Sequence, residues 1–123
     1  MSGDDTGRRR IVPVRADLAT AEGVETRVTQ VRSLGRPVEV LALIAGVGVA
    51  GPFVDTPLDD DLRLIALNVT SVVHAAKVAA ADGAAGAGAV LVTSSVAATM
   101  PGPWYATYAA SKAFALLRLS RPP

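Results

Sequence analysis

Cysteine is absent from this 123-residue chain, histidine and asparagine occur once each (His74 and Asn68), and lysine occurs only twice, at Lys77 and Lys112. Without cysteine there is neither a disulfide framework nor a thiolate zinc site, and a lone histidine cannot build a histidine metal cluster. No metal site is therefore expected. Charge of either sign is also scarce in excess: 12 basic and 11 acidic side chains leave a formal net charge of +1, and aromatic residues make up 4% of the chain. Such a balance offers no broad field to nucleic acid or to an anionic membrane, so neither is expected as a partner. The opening MSGDDTGRRR lacks the apolar core of a signal sequence, and the longest apolar run, VLALIAGVGVAG, is too short and too glycine-rich to span a bilayer. The chain reads as soluble and cytoplasmic, with one domain over residues 1–123 and a polar, disordered lead-in over residues 1–10.

What is present alternates. IVPVRAD reads as a short strand ending near Asp17, with Pro13 hinting at an edge. TAEGVETRVTQVRSLG then reads as a helix: Val24, Val28 and Val31 recur at helical spacing, Glu22 and Glu25 lie near its start, and Gly35 follows its end. VEVLALIA, bounded by Pro37 and Gly46, has the continuous apolar character of a strand buried on both faces. After the loop GVGVAGPFVDTP, Thr56 as cap, Pro57 at the first helical position and Asp59, Asp60 and Asp61 open a long helix to about Ala81. Its expected apolar stripe is Leu62, Ile65, Ala66, Val69, Val73 and Ala76. DGAAGAG breaks that helix, AVLVTSS is another buried strand, and VAATMPGP leads to a last helix through YATYAASKAF. Three strand–helix units predict an α/β fold with a parallel sheet, VEVLALI beside AVLVTS, and function at the strands' carboxyl ends.

Chemistry-capable groups gather at those ends. Tyr108 and Lys112 stand four residues apart, which on a helix places both side chains on one face. A phenol, with an ordinary pKa of about 10, moves protons poorly at neutral pH unless a neighbouring ammonium favours the phenolate. With two tyrosines and two lysines in the chain, accident is a weak rival for this pairing. Ser94 and Ser95 close the last strand. Gly46, Gly48 and Gly51 form a literal G-x-G-x-x-G after the middle strand, the dinucleotide pattern. Pro52, Phe53 and VDTP intervene before any helix, however, so the loop does not open onto the helix N-terminus that would meet a pyrophosphate.

Taken together, these residues resemble the short-chain dehydrogenase/reductase family over about Ile11 to Leu119. Tyr108 and Lys112 in YAASK look like its active-site pair, Ser95 stands 13 residues before the tyrosine and Asn68 40 before it. VEVLALIAG is similar to the strand that normally ends Asn-Asn-Ala-Gly, and RADL to the segment whose aspartate, here Asp17, contacts adenine. The resemblance implies an incomplete Rossmann-like doubly wound sheet, NAD or NADP as cofactor, and hydride exchange between nicotinamide and a small alcohol or carbonyl substrate. It implies a catalytic set of Asn68, Ser95, Tyr108 and Lys112, and cofactor binding by Asp17, Ala45, Gly46, Tyr108 and Lys112. Tyr108 would carry the proton, Lys112 would hold the phenolate and the ribose, Ser95 would donate to the substrate oxygen and Asn68 would hold a relay water. Homo-oligomers through the long helices are implied as well.

Three departures temper the carry-over. Leu43 and Ile44 stand where the family has its two asparagines, no Thr-Gly-x-x-x-Gly-x-Gly turn is present, and the chain stops soon after the Lys112 helix. It therefore reads as the middle of a family member, inactive alone. The rival reading is a non-catalytic remnant that acts at most as an oligomerisation module. Structural alternatives stand beside each role: Ser95 as a cap, Asn68 as a satisfied buried amide, Trp104 and Tyr105 as packing or as walls of a substrate pocket, and His74 as packing or surface.

Overall fold

The computed structural model describes residues 10–82, 89–100 and 102–116. All but Arg10 of the lead-in, most of the DGAAGAG break and the chain beyond Leu116 lie outside the described residues. Helix α1 (Ala21–Ser33) leads to strand β1 (Val40–Leu43). A continuous helix α2 covers Leu58–Ala81, strand β2 covers Ala89–Val92, and helix α3 covers Ala106–Leu116. The strands pair in parallel with Val40 opposite Ala89 and Leu43 opposite Val92. Bonds from Ala89 N to Glu39 O and from Thr93 N to Leu43 O extend the ladder by a step at each end. The α/β class and the adjacency of the two apolar runs are as expected.

Local chemistry sets the ends of α1. Thr20 caps it, its hydroxyl oxygen accepting from Gly23 N at 3.0 Å while donating to Asp17 O at 2.9 Å. A β-carbon on Gly23 would fall 1.8 Å from Asp17 O, so only glycine lets the helix start so close to the preceding chain. At the far end Gly35 takes φ 63°, the left-handed conformation that stops a helix cleanly.

The structure corrects four expectations. Ile11–Asp17 forms no strand and Ile11 is 87% exposed. A parallel strand needs a neighbour to complete its ladder, Pro13 has no N–H to offer, and the described sheet pairs only β1 with β2. Both strands, read as buried on two faces, are largely exposed instead: β1 alternates exposed and half-buried residues, and in β2 Val92 alone is half-buried. Helix α2 starts one residue later than expected, at Leu58 with Pro57 as cap. Thr56 donates instead to Asp61 Oδ2 at 2.8 Å, which pins the helix start from the side.

The fourth correction concerns the face of α2. Its buried residues are Asp61, Leu64, Asn68, Ser71 and Val72, while Leu62, Ile65 and Val73 of the expected stripe point outward. In mid-helix, Ala66–Thr70 forms one π turn, with Asn68 at its centre. The helix reaches a membrane span in length and apolar content. Two of its buried polar side chains reach outside it, Asp61 to Thr56 and Asn68 to Ser111, and tie it into this fold, while Ser71 donates back to Leu67 O within the helix. Among the described residues the buried apolar core is Val24, Leu64 and Val72, and an open apolar groove of about 1070 Å³ remains between α1, α2 and β1.

Ion pairs strap α1 against α2. Arg32 makes two 2.7 Å bonds to Asp82, and Glu25 Oε1 lies 2.6 Å from His74 Nε2, which gives that histidine a partner. Arg63 stands 3.5 Å from Asp17 at the opposite end. The hydrogen bonds from Arg32, aided by its charge, hold the Asp82 carboxyl below its ordinary pKa.

Two measurements check this packing. Leu64→Ala removes the one side chain among the described residues buried to below 2% exposure and is expected to cost about 2–5 kcal/mol in a denaturant titration, enough to unfold much of so small a core. Because Asp82 has a lowered folded pKa, its pairing stabilises above the unfolded value and is lost as pH falls through the folded one. The thermal midpoint of Asp82→Asn should therefore lie below wild type at pH 7, and the gap should begin to narrow as pH falls below about 4 and close below the folded pKa.

Candidate active site

The site is built where the loop after β1 meets α2 and α3. Asn68 is 3% exposed, and its carboxamide clips the backbone of Val47 twice: Oδ1 accepts from Val47 N and Nδ2 donates to Val47 O, both at 2.9 Å. The second Nδ2 hydrogen goes to Ser111 Oγ at 3.1 Å. Its dull alternative, the satisfied buried amide, thus describes its side chain correctly, and the satisfaction has a structural product: the glycine loop is held against α2. No cradle for a water is needed to account for these bonds.

Helix α3 brings Tyr108 and Lys112 to one face, as their spacing predicts. Lys112 is 7% exposed, with Nζ 5.8 Å from the centre of the Tyr108 ring and 3.3 Å from Thr93 O. No carboxylate among the described residues pairs with it. A buried ammonium held by one carbonyl and a ring face carries a desolvation cost that packing alone does not explain. No hydrogen bond among the described residues ends on the Tyr108 hydroxyl, whose ring meets Tyr105 edge to face at 6.3 Å.

The glycine loop lies against this pair. A β-carbon on Gly46 would stand 3.1 Å from Lys112 Nζ and 3.2 Å from Asn68 Oδ1, and one on Gly48 would touch the Tyr108 ring at 3.8 Å. Gly51, at φ 142°, donates from its N–H to Trp104 O at 2.8 Å and so ties the far end of the loop to the lead into α3. The loop continues through turns at Pro52–Thr56 and meets no helix before Leu58, which agrees with rejecting it as a pyrophosphate-binding turn.

Ser95 follows β2 and caps the short 3-10 turn Val96–Ala98, its oxygen accepting from Ala97 N at 3.2 Å. The cap uses an acceptor site, and no hydrogen bond among the described residues takes the hydroxyl hydrogen. Asp17 sits apart at the entrance of α1, where its side chain accepts from Ala19 N and faces Arg63. The structure thus brings together Gly46, Asn68, Tyr108 and Lys112, sets Ser95 at the end of β2, and joins neither Ser95 nor Asp17 to Tyr108 by a hydrogen bond. Trp104 and Tyr105 are half exposed beside the site.

Ser94, read from the sequence as a chemistry-capable group at a strand end, has a structural part instead, and Thr93, Val47 and Ser111 carried no signal in the sequence reading. Ser94 donates to Lys112 O at 2.7 Å, fastening α3 to the end of β2. Thr93 and Val47 act through backbone atoms, which any residue supplies. Ser111 lies in the quoted YAASK, but its spacing from Asn68 has no period that would mark a contact.

A family model described as short chain dehydrogenase matches residues 3–121. A short chain dehydrogenase of Pseudocercospora fijiensis is 33% identical over 107 residues, 85% of this chain and 35% of that protein. Among solved structures, a bulky-bulky ketone specific alcohol dehydrogenase from Comamonas testosteroni superposes with a TM-score of 0.74 at 30% identity, over 84% of this chain and 41% of its own. A short chain dehydrogenase/reductase from Burkholderia phymatum, in complex with NAD, superposes at 0.75 with 28% identity, over 85% of this chain and 38% of its own. The chain thus spans well under half the length of the relatives it matches. With the family model covering nearly all of the sequence and the Tyr108–Lys112 pair folded beside Asn68, the chain belongs to the short-chain dehydrogenase family.

Proposed function

We propose that this chain carries the proton-transfer and ribose-side part of an NAD(P)-dependent oxidoreductase site for a small alcohol or carbonyl substrate. The observation that carries the reading is Lys112: a buried, carboxylate-free ammonium under the ring of a tyrosine whose hydroxyl has no partner among the described residues. The residues fit the ribose and nicotinamide end of a dinucleotide. Gly46 lacks the β-carbon that would crowd Lys112, Ala45 precedes it in the loop after β1, and the ammonium has donors to spare. Asp17, exposed at the mouth of α1, is the candidate for the adenine end.

Bound there, the nicotinamide would supply or accept the hydride. Tyr108 gives its proton to the substrate oxygen or takes it back, and Lys112 favours the phenolate that remains. Ser95 donates its free hydroxyl hydrogen to the same oxygen as charge develops. Asn68 is assigned to holding the loop at Val47 rather than a relay water, since both side-chain atoms are already engaged. A nicotinamide pool and a cysteine-free chain agree with work in the cytoplasm.

Hydride transfer needs the cofactor held at both pyrophosphate and ribose, and only the second set is present among the described residues. The chain alone is expected to show no measurable NAD(P) turnover. Grafting on the preceding and following segments of the Burkholderia relative should restore carbonyl reduction, assayed by nicotinamide absorbance. In that fusion Tyr108→Phe should lower turnover by about 100-fold or more with cofactor affinity nearly kept, while Lys112→Ala should weaken both. Equal turnover with Phe at position 108 sinks the proposal.

A second reading, self-association through α2, is favoured by the outward row of Leu58, Leu62, Ile65 and Val73 beside a core of three apolar side chains. Sedimentation of the chain should show dimers or larger species, shifted toward monomer by Leu62→Lys with Ile65→Lys. A stable wild-type monomer at micromolar concentration would overturn it.

A further inference from the structure

Between the tyrosine and the lysine of α3 stands a serine with no role yet assigned. Ser111 is 3% exposed, and its hydroxyl donates to Tyr108 O at 2.7 Å, the ordinary back-bond of a serine within a helix. Its second bond is not ordinary. The same oxygen accepts from Asn68 Nδ2, 43 residues away in the chain, at 3.1 Å. Since the hydroxyl's only hydrogen goes to Tyr108 O, what it presents to Asn68 is a lone pair, and the direction of the bond is fixed.

We propose that Ser111 is a positioning residue for the Tyr108–Lys112 pair, coupling the turn of α3 that carries both to the π turn of α2 through Asn68. The name "positioning residue" rests on the reading of that pair as catalytic. The coupling itself rests on geometry alone. Every Asn68 hydrogen has one acceptor: Val47 O takes one and Ser111 the other, while Oδ1 takes the Val47 N–H. Removing the Ser111 oxygen leaves a buried N–H unsatisfied, and the amide recovers a partner only by turning away from Val47. That turn would loosen the loop at Gly46, whose missing β-carbon is what accommodates Lys112 Nζ. One hydroxyl therefore bears on the lysine by two routes, directly along α3 and indirectly through Asn68 and the glycine loop.

The chain has one asparagine and one glutamine, Gln30, so its side-chain carboxamide signals form only two pairs in a nitrogen-edited proton spectrum. Gln30 is exposed and serves as the internal reference. In the wild-type chain the Asn68 pair should exchange with water at least about tenfold more slowly than Gln30. Ser111→Ala should raise the Asn68 exchange rate by about tenfold relative to the backbone amide of Leu64, and should shift the Val47 amide and Lys112 ammonium signals. Ser111→Thr, which keeps the hydroxyl, should restore all three. Normalising to Leu64 separates the coupling from a general loss of stability.

Wild-type Asn68 exchanging as fast as Gln30 overturns the proposal even if the alanine variant does not fold. An alanine variant with unchanged Asn68 protection or an unmoved Lys112 signal, or a threonine variant that does not restore them, overturns it equally. These signals do not depend on turnover, so failure of the oxidoreductase reading in the fusion leaves the coupling standing, and failure here leaves that reading intact.

Discussion

The carboxamide of Asn68 makes two bonds to the backbone of Val47 and one to Ser111, and through these three the loop after β1, helix α2 and helix α3 are fixed to one another. Each such bond has a net worth of about 1 kcal/mol, but losing a partner strands a buried polar atom at about 1–3 kcal/mol. The ion pairs between α1 and α2 have no comparable leverage, because their members stand in water and are screened by salt. The π turn belongs to the same constraint. It carries Asn68 at its centre, at the point where α2 passes the glycine loop. A widened turn stabilised from outside the helix is a common mark of a functional position.

Around this clip the chemistry is arranged by subtraction as much as by placement. Gly46 leaves room for an ammonium, and among the described residues the Ser95 cap leaves a hydroxyl hydrogen free and Lys112 is given a carbonyl and a ring but no carboxylate. Each choice costs stability in isolation. A carboxylate beside Lys112 would offset much of its burial and would also neutralise the charge that a phenolate or a ribose would otherwise use.

Much of this was legible in the chain. Tyr108 and Lys112 announce themselves by a four-residue spacing, the only geometry that a helix needs to bring two side chains together. The paired strands show in their unbroken apolar runs, and Thr20 and Gly35 mark the ends of α1 by capping chemistry. What stayed hidden depends on partners distant in sequence. Ser111 reads as an ordinary helical serine until Asn68 arrives beside it. The segment Ile11–Asp17 has strand-forming residues, yet a strand is a property of a pair, and no neighbour is described there. The buried face of α2 does not follow hydropathy, because Asp61, Asn68 and Ser71 are buried with their hydrogen bonds made.

That inside-out helix bears on how substitutions will be tolerated along it. On most helices the greasy positions resist change and the polar ones drift freely. Along α2, Leu64 and Val72 keep to that rule, but elsewhere the ranking inverts: exchanging Leu62 for another residue removes little that the fold relies on, while exchanging Asn68 or Asp61 for a leucine of similar bulk deletes bonds that set the path of a loop and the start of the helix. A library of variants sorted by hydropathy alone would therefore place Leu64 and Val72 correctly and misplace Asp61, Leu62 and Asn68.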